Sequence, residues 1–183
     1  MDDMPTQNRT KMKLASPTMA AATFVASNGN RYRLTRNLQD LNLKKIHSAL
    51  STDTYWASGI ELDTVTKAFE HSMCFGVMQE KESTSTEPSE MVAFGRLVTD
   101  YTTFGYLSDV YVYPDHRGQG VGKFMIQSIM QDEAVQGMRR LMLGTLDAHG
   151  LYQQAGFTPL AHPDILMEIY RGAKLEDMKV NRT

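Results

Sequence analysis

The sequence predicts a mixed α/β (α+β) domain with a mostly antiparallel sheet, one parallel strand pair and flanking helices. Three observations carry that prediction. Phe75–Glu80, Met91–Thr99 and Phe104–Tyr113 are consecutive runs rich in β-branched and aromatic residues, separated by polar or turn-forming stretches, which suggests an antiparallel meander. The third run stops at Pro114 and passes through three glycines into the helical apolar spacing of Phe124–Met130. The apolar run within Arg139–Thr145 then follows that helix, and a strand–helix–strand return implies a parallel pair with a right-handed crossover.

The chain has 183 residues, 42% of them hydrophobic, and a formal net charge of −2. That describes a single soluble globular domain. The near-neutral balance supplies no electrostatic footprint for nucleic acid. No apolar run reaches membrane-spanning length. The single cysteine, Cys74, excludes an internal disulfide framework and fits a reducing compartment, so a cytoplasmic location is expected, with organelle or nucleus left open. Cys74 lies in the apolar run Met73–Met78 and reads as a buried thiol rather than a nucleophile.

Taken in order, residues 1–24 show no useful period and read as a disordered tail. The domain is expected over 25–171. Arg31–Thr35 reads as a first strand after the turn at Asn28-Gly29-Asn30. Asn37 is placed to cap a helix over Leu38–Leu50. A polar loop over Ser51–Ile60 carries Tyr55 and Trp56, and a second helix runs from Glu61 to Ser72. Lys81–Ser89 is a polar hairpin connection and Asp100–Thr103 a turn. The main helix is expected over Gly118–Gln136, ending at the C′ glycine Gly137. A short helix over Ala148–Ala155 follows, and strands near Phe157 and over Ile165–Tyr170 are expected to close the sheet. Residues 172–183 form a charged tail.

The strand-to-helix turn, Asp115-His116-Arg117-Gly118-Gln119-Gly120-Val121-Gly122-Lys123, is a candidate phosphate cradle. Glycine permits close backbone approach and positive φ, and the first N–H groups of a helix lack partners and favour an anion. A Walker loop fails twice: Arg117 occupies the first glycine position and Phe124 replaces the hydroxyl residue. A dinucleotide fingerprint fails because its third glycine arrives one residue early, leaving Lys123 in its place. An ordinary tight turn is the remaining plain alternative. What fits is Arg117, Gly120 and Gly122 after a strand ending in Val-x-Pro, which resembles the Q/R-x-x-G-x-G/A loop of the GNAT superfamily of N-acetyltransferases. Downstream, Leu151-Tyr152-Gln153-Gln154-Ala155-Gly156-Phe157 resembles that superfamily's late L-Y-x-x-x-G-F motif. The resemblance spans roughly Tyr32 to Arg171.

The resemblance implies a GNAT acyl-CoA N-acyltransferase fold, in which Phe104–Tyr113 and Arg139–Thr145 form a splayed parallel pair. It implies acetyl-CoA as cofactor, with CoA as product. The pantetheine arm would lie along Val110, Tyr111 and Val112, and the pyrophosphate on Arg117, Gly118, Gln119, Gly120, Val121, Gly122 and Lys123. For the side chains of Arg117 and Lys123, an orientation into water is the open alternative. Thr145 stands where the superfamily commonly has an asparagine that contacts CoA, which puts that contact in doubt.

Acetyl transfer from a thioester needs a neutral amine, donors for a developing oxyanion and a proton for the leaving thiolate. Tyr152 matches the superfamily's general acid; a packing tyrosine is the alternative. Asp109 precedes the pantetheine segment and shares a face by alternation with Tyr111 and Tyr113. It is a candidate base or acceptor contact, or a structural hydrogen-bonding group. Tyr55, Trp56, Tyr101 and His149 are candidate acceptor contacts, and Asp147 a candidate for acceptor binding or proton relay. No histidine has metal-ligand spacing, so no metal site is expected.

The expected activity is acetyl transfer from acetyl-CoA to a primary amine by direct attack in a ternary complex. The candidate pocket is aromatic and poor in carboxylates, which suits a small acceptor with one amine. A protein lysine or N-terminal acetyltransferase, or a non-catalytic CoA-binding module, stays open. The partner expected is a small-molecule amine, without nucleic acid or membrane, and with a homodimer left open.

Overall fold

The computed structural model describes residues 22–81 and 88–171. Six strands form one sheet in chain order: β1 (Thr23–Val25), β2 (Arg31–Thr35), β3 (Met73–Glu80), β4 (Glu90–Thr99), β5 (Phe104–Val112) and β6 (Arg140–Leu143). All neighbours are antiparallel except β5 and β6, which are parallel. The meander and the crossover therefore stand as the sequence predicts. The helices are α1 (Leu43–Asp53), α2 (Leu62–Glu70), α3 (Val121–Met130), α4 (Glu133–Gln136) and α5 (His149–Gln153).

The sheet separates two apolar clusters. On one face, Ile46, Ala49 and Leu50 of α1 and Val65 and Phe69 of α2 pack on Phe94 and Tyr111. On the other, Val121, Met125, Ile126 and Ile129 of α3 pack on Phe75, Val92, Leu97 and Leu107. Strand alternation decides which β5 residues serve each: Tyr111 joins the first, while Val110 and Val112 pack against the second. Cys74 is buried in the first cluster, and burial pushes its thiol up to about 11, so it stays protonated and inert.

Several boundaries depart from expectation. Thr23–Val25 joins the sheet because Phe24 stacks on Tyr32 and Phe124, with ring centroids 6.1 and 5.4 Å away. The first helix divides: Asn37 caps a 3-10 turn at Leu38–Asp40, and Asn42 caps α1 by accepting from the Lys45 N–H. The expected long helix also divides. Asp132 caps α4 through the Ala134 N–H and accepts a 2.8 Å ion pair from Arg36, and this buried anchor ends α3 at Met130. The strands expected near Phe157 and over Ile165–Tyr170 do not form. That stretch holds only a 3-10 turn at Pro163–Ile165, and β6 stands at the edge of the sheet. The expectations for 1–21, 82–87 and 172–183 lie outside the described residues. Among the described residues no helix is long and apolar enough to cross a membrane.

Candidate active site

The site begins where two strands part. β5 and β6 pair from Phe104↔Arg140 to Leu107↔Leu143 and no further. Beyond Leu107, β5 has a partner only on its β4 side. The Tyr113 N–H donates to Val92 in β4, so alternation turns the backbone groups of Val112 and Val110 toward the gap. A bulge in the β4–β5 register lies at the same place, and Asp109 sits in it with φ 52.

At the far end of β5, Pro114–His116 makes one 3-10 turn and the chain enters α3. Gly118 and Gly120 take φ 72 and 85, and Gly120 is the N-cap of α3. A Cβ on Gly120 would meet the Phe24 ring at 3.1 Å, so both backbone angle and space demand glycine. The opening N–H groups of α3, from Val121 to Lys123, lack intrahelical acceptors by construction. They make a short donor array with the positive end of the helix dipole behind it.

The loop's side chains brace it rather than extend it. The Arg117 Nε donates to the Val112 carbonyl at 2.9 Å, and its guanidinium lies 5.2 Å from the Tyr111 ring centroid. Gln119 donates to the Asp115 carbonyl and accepts from the Tyr32 hydroxyl at 2.9 Å. The donor array at this turn is thus a backbone feature.

Between the parted strands lies a cleft of about 830 Å³, lined by Tyr55, Trp56, Arg96, Asp109, Asp147 and Tyr152 among others. The 54–60 loop delivers the first two: Tyr55 and Trp56 meet edge to face at 4.9 Å, and the Tyr55 hydroxyl accepts the Leu146 N–H. The Trp56 indole N–H donates to Asp109 Oδ1 at 3.2 Å. Asp109 Oδ2 accepts from Arg96 Nε at 2.6 Å, and the other Arg96 nitrogens reach Ser72 and Ser108. Asp109 is therefore held in an ion pair, not poised as a base. Tyr152 is buried against Phe157, and burial, helped by nearby Tyr55 and Asp147, pushes its hydroxyl up to about 12.

Other expected contacts lie elsewhere. Tyr101 is exposed with φ 64 in the β4–β5 turn, which Asp100 organises by accepting the N–H groups of Thr102, Thr103 and Phe104. That turn is at the paired end of β5, away from the cleft. His149 is exposed at the start of α5 and lines a neighbouring cavity. The Tyr111 side chain turns to the α1 face and donates to Asp53 at 2.9 Å. Thr145 does line the cleft, where its hydroxyl accepts the Ala148 N–H. Arg96 was not anticipated. Its signal was an arginine within the apolar run Met91–Val98, where a buried charge requires a partner. Tyr170 also reaches the cleft.

The family model for the acetyltransferase (GNAT) family matches residues 43–157. A candidate GNAT acetyltransferase from Xanthomonas campestris, known from its crystal structure, is 42% identical, with a TM-score of 0.69 over 76% of this chain and 93% of that one. A Gibberella zeae protein named as a candidate acetyltransferase is 38% identical over 126 residues, 61% of this chain and 70% of that protein. A Bos taurus thialysine N-epsilon-acetyltransferase is 32% identical over 82 residues, 40% of this chain and 48% of that enzyme.

Proposed function

This chain belongs to the GNAT family of acetyltransferases, and from that premise we propose that it acetylates a small primary amine with acetyl-CoA as donor. The observation that carries the reading is the arrangement of three features about β5. Val110 and Tyr152 line the cleft where β5 leaves β6, and the α3 donor array opens at the far end of the same strand.

Acetyl-CoA supplies an activated acyl thioester when bound. The Val121–Lys123 N–H groups would hold its pyrophosphate, and Val110 and Val112 would pair with its amide-bearing arm. Tyr152 keeps its proton across the physiological range, since its pKa is raised to about 12; it serves as proton donor to the departing sulfur, while the acceptor attacks as the neutral amine and the proton it loses on forming the amide returns to Tyr152 through water. Arg96 and Asp109 cancel each other and position the Trp56 ring. Asp147 lines the same cleft near Tyr152 and offers a carboxylate to an acceptor ammonium. With Arg96 balanced by Asp109, the charged side chains lining the cleft sum to −1, from Arg96, Asp109 and Asp147, which favours an acceptor carrying one cation. The aromatic walls suit a small body, and a relative named for thialysine N-epsilon acetylation supports that class.

The test is mass-spectrometric detection of acetyl transfer from acetyl-CoA to a panel of small amines and lysine peptides. Acetylated small amines are expected with specificity constants at least about tenfold above the peptides, a gap of about 1.4 kcal/mol. Transfer confined to peptides would overturn the proposed acceptor class.

A further inference from the structure

The loop that carries Tyr55 and Trp56 is fastened to β5 at two points. At its tip the Trp56 indole donates to Asp109. At its root, three residues earlier in the chain, Asp53 Oδ2 accepts the Tyr111 hydroxyl at 2.9 Å. Asp53 is the last residue of α1, and Thr54 then leaves the helix in an extended conformation. Thr54 is buried, and its hydroxyl donates to the Leu50 carbonyl at 2.6 Å. The direction in which the loop departs from α1 is therefore set at Asp53 and Thr54.

The Asp53–Tyr111 bond is built against local preference on one side and with strong support on the other. A carboxylate at the C-terminal end of a helix opposes the helix dipole, and the last turn of α1, Leu50-Ser51-Thr52-Asp53, is otherwise uncharged. Asp53 is exposed, so burial does not account for its place there. A residue that breaks a local rule needs a compensating contact, and Tyr111 supplies it. Tyr111 itself is a rigid post. It is buried, Phe94 stacks on its ring at 5.4 Å, and Tyr113 meets it edge to face at 5.2 Å. Burial, helped by the bond to Asp53, pushes its hydroxyl up to about 12, so it remains a donor.

We infer that Tyr111 is a positioning residue that sets the place of the acceptor wall, acting through Asp53. The inference rests on the proposed function for the meaning of that wall. Tyr111 lies between Val110 and Val112, so its backbone belongs to the acetyl-CoA side while its side chain holds the loop of Tyr55 and Trp56. One side chain thus fixes the spacing between the donor strand and the acceptor loop. That spacing matters because an attacking amine must come within about 3–3.5 Å of the acyl carbon, and an error of about 1 Å can cost about a hundredfold in rate.

Trp56 is the only tryptophan of the chain, so its fluorescence reports the acceptor loop without any substrate. The ring is 40% exposed when held, and in Tyr111→Phe and Asp53→Ala its quenching by acrylamide is expected to rise about twofold with an unchanged circular dichroism spectrum. For the panel amine that the wild type turns over fastest, kcat/KM is expected to fall about tenfold in both variants, while acetyl-CoA affinity by calorimetry stays within about twofold. Asp53→Asn keeps a carbonyl oxygen for the Tyr111 hydroxyl and should restore wild-type quenching and turnover. The Tyr111→Phe/Asp53→Ala double variant should be no worse than either single one, because both remove the same bond. Unchanged quenching in Tyr111→Phe would overturn the inference, as would additive effects in the double variant. An equal loss of acetyl-CoA affinity would also overturn it and make Tyr111 a packing residue of the whole site. If no small amine is acetylated, the proposed acceptor class falls, and the quenching comparison still decides the role of Tyr111.

Discussion

The two sides of the cleft are built from different materials. The α3 side is one continuous stretch, Val110 to Lys123, and it works through backbone: parted strand edges, two glycines at positive φ and the opening N–H groups of a helix. The opposite side is assembled from side chains of the 54–60 loop, β4, β5, the turn before α5 and α5 itself, with Asp109 joining Trp56 to Arg96 and the Tyr55 hydroxyl holding the Leu146 N–H. Backbone recognition depends on spacing and is the same for any side chain that permits it. Side-chain recognition changes with each substitution. Under the proposed function the first side would serve acetyl-CoA and the second the acceptor amine.

Substitutions can break or sharpen that contrast. The largest effect is expected at Gly120. Gly120→Glu forces a Cβ against Phe24, strains the αL position and puts negative charge at the donor array. Acetyl-CoA affinity measured by calorimetry is expected to fall at least about a thousandfold, about 4 kcal/mol. Retained affinity would remove the cradle from the account. Tyr152→Phe comes next: turnover is expected to drop about a hundredfold, the usual scale for a lost proton donor. A rate within twofold of wild type would make Tyr152 a packing residue.

Asp109→Asn separates support from chemistry. It leaves the largely buried Arg96 guanidinium without its counter-charge, at a cost of about 3 kcal/mol. Thermal unfolding should shift down by about 6–12 °C in a domain of this size. An unchanged Tm with lost activity would return Asp109 to the role of base. Asp147→Asn is expected to raise the acceptor KM about fivefold to tenfold with the Tm held, as for one partly exposed ion pair. The smallest effect belongs to Tyr101→Ala, whose side chain stands in the exposed β4–β5 turn; kcat/KM should stay within about twofold of wild type.

The same contrast explains what could be read from the sequence. Local geometry was legible: the Val-x-Pro stop and the three glycines marked the end of β5 and the turn into α3, and the Leu-Tyr…Gly-Phe motif marked Tyr152, which lines the cleft. Chain-distant pairing was not. Nothing adjacent to Asp109 announced that Arg96, thirteen positions away, would neutralise it, or that Trp56 would hold its other oxygen. Tyr101 was misplaced because its aromatic character suits a pocket as well as a turn, and the Asp100 network that holds the turn is a matter of geometry. The long helix was drawn through Asp132 because helical periodicity does not register a buried ion pair with Arg36. Ile165–Tyr170 has strand character, yet strand character does not specify which edge receives it.

The division of labour across the cleft is tested most directly by titrating acetyl-CoA into the Tyr152→Phe/Asp147→Asn double variant in a calorimeter. Both substitutions lie on the side-chain half, so the account predicts an affinity within about twofold of wild type, under 0.5 kcal/mol. A tenfold or greater loss would contradict it, showing that acetyl-CoA is held by the side chains and not by the backbone of β5 and α3.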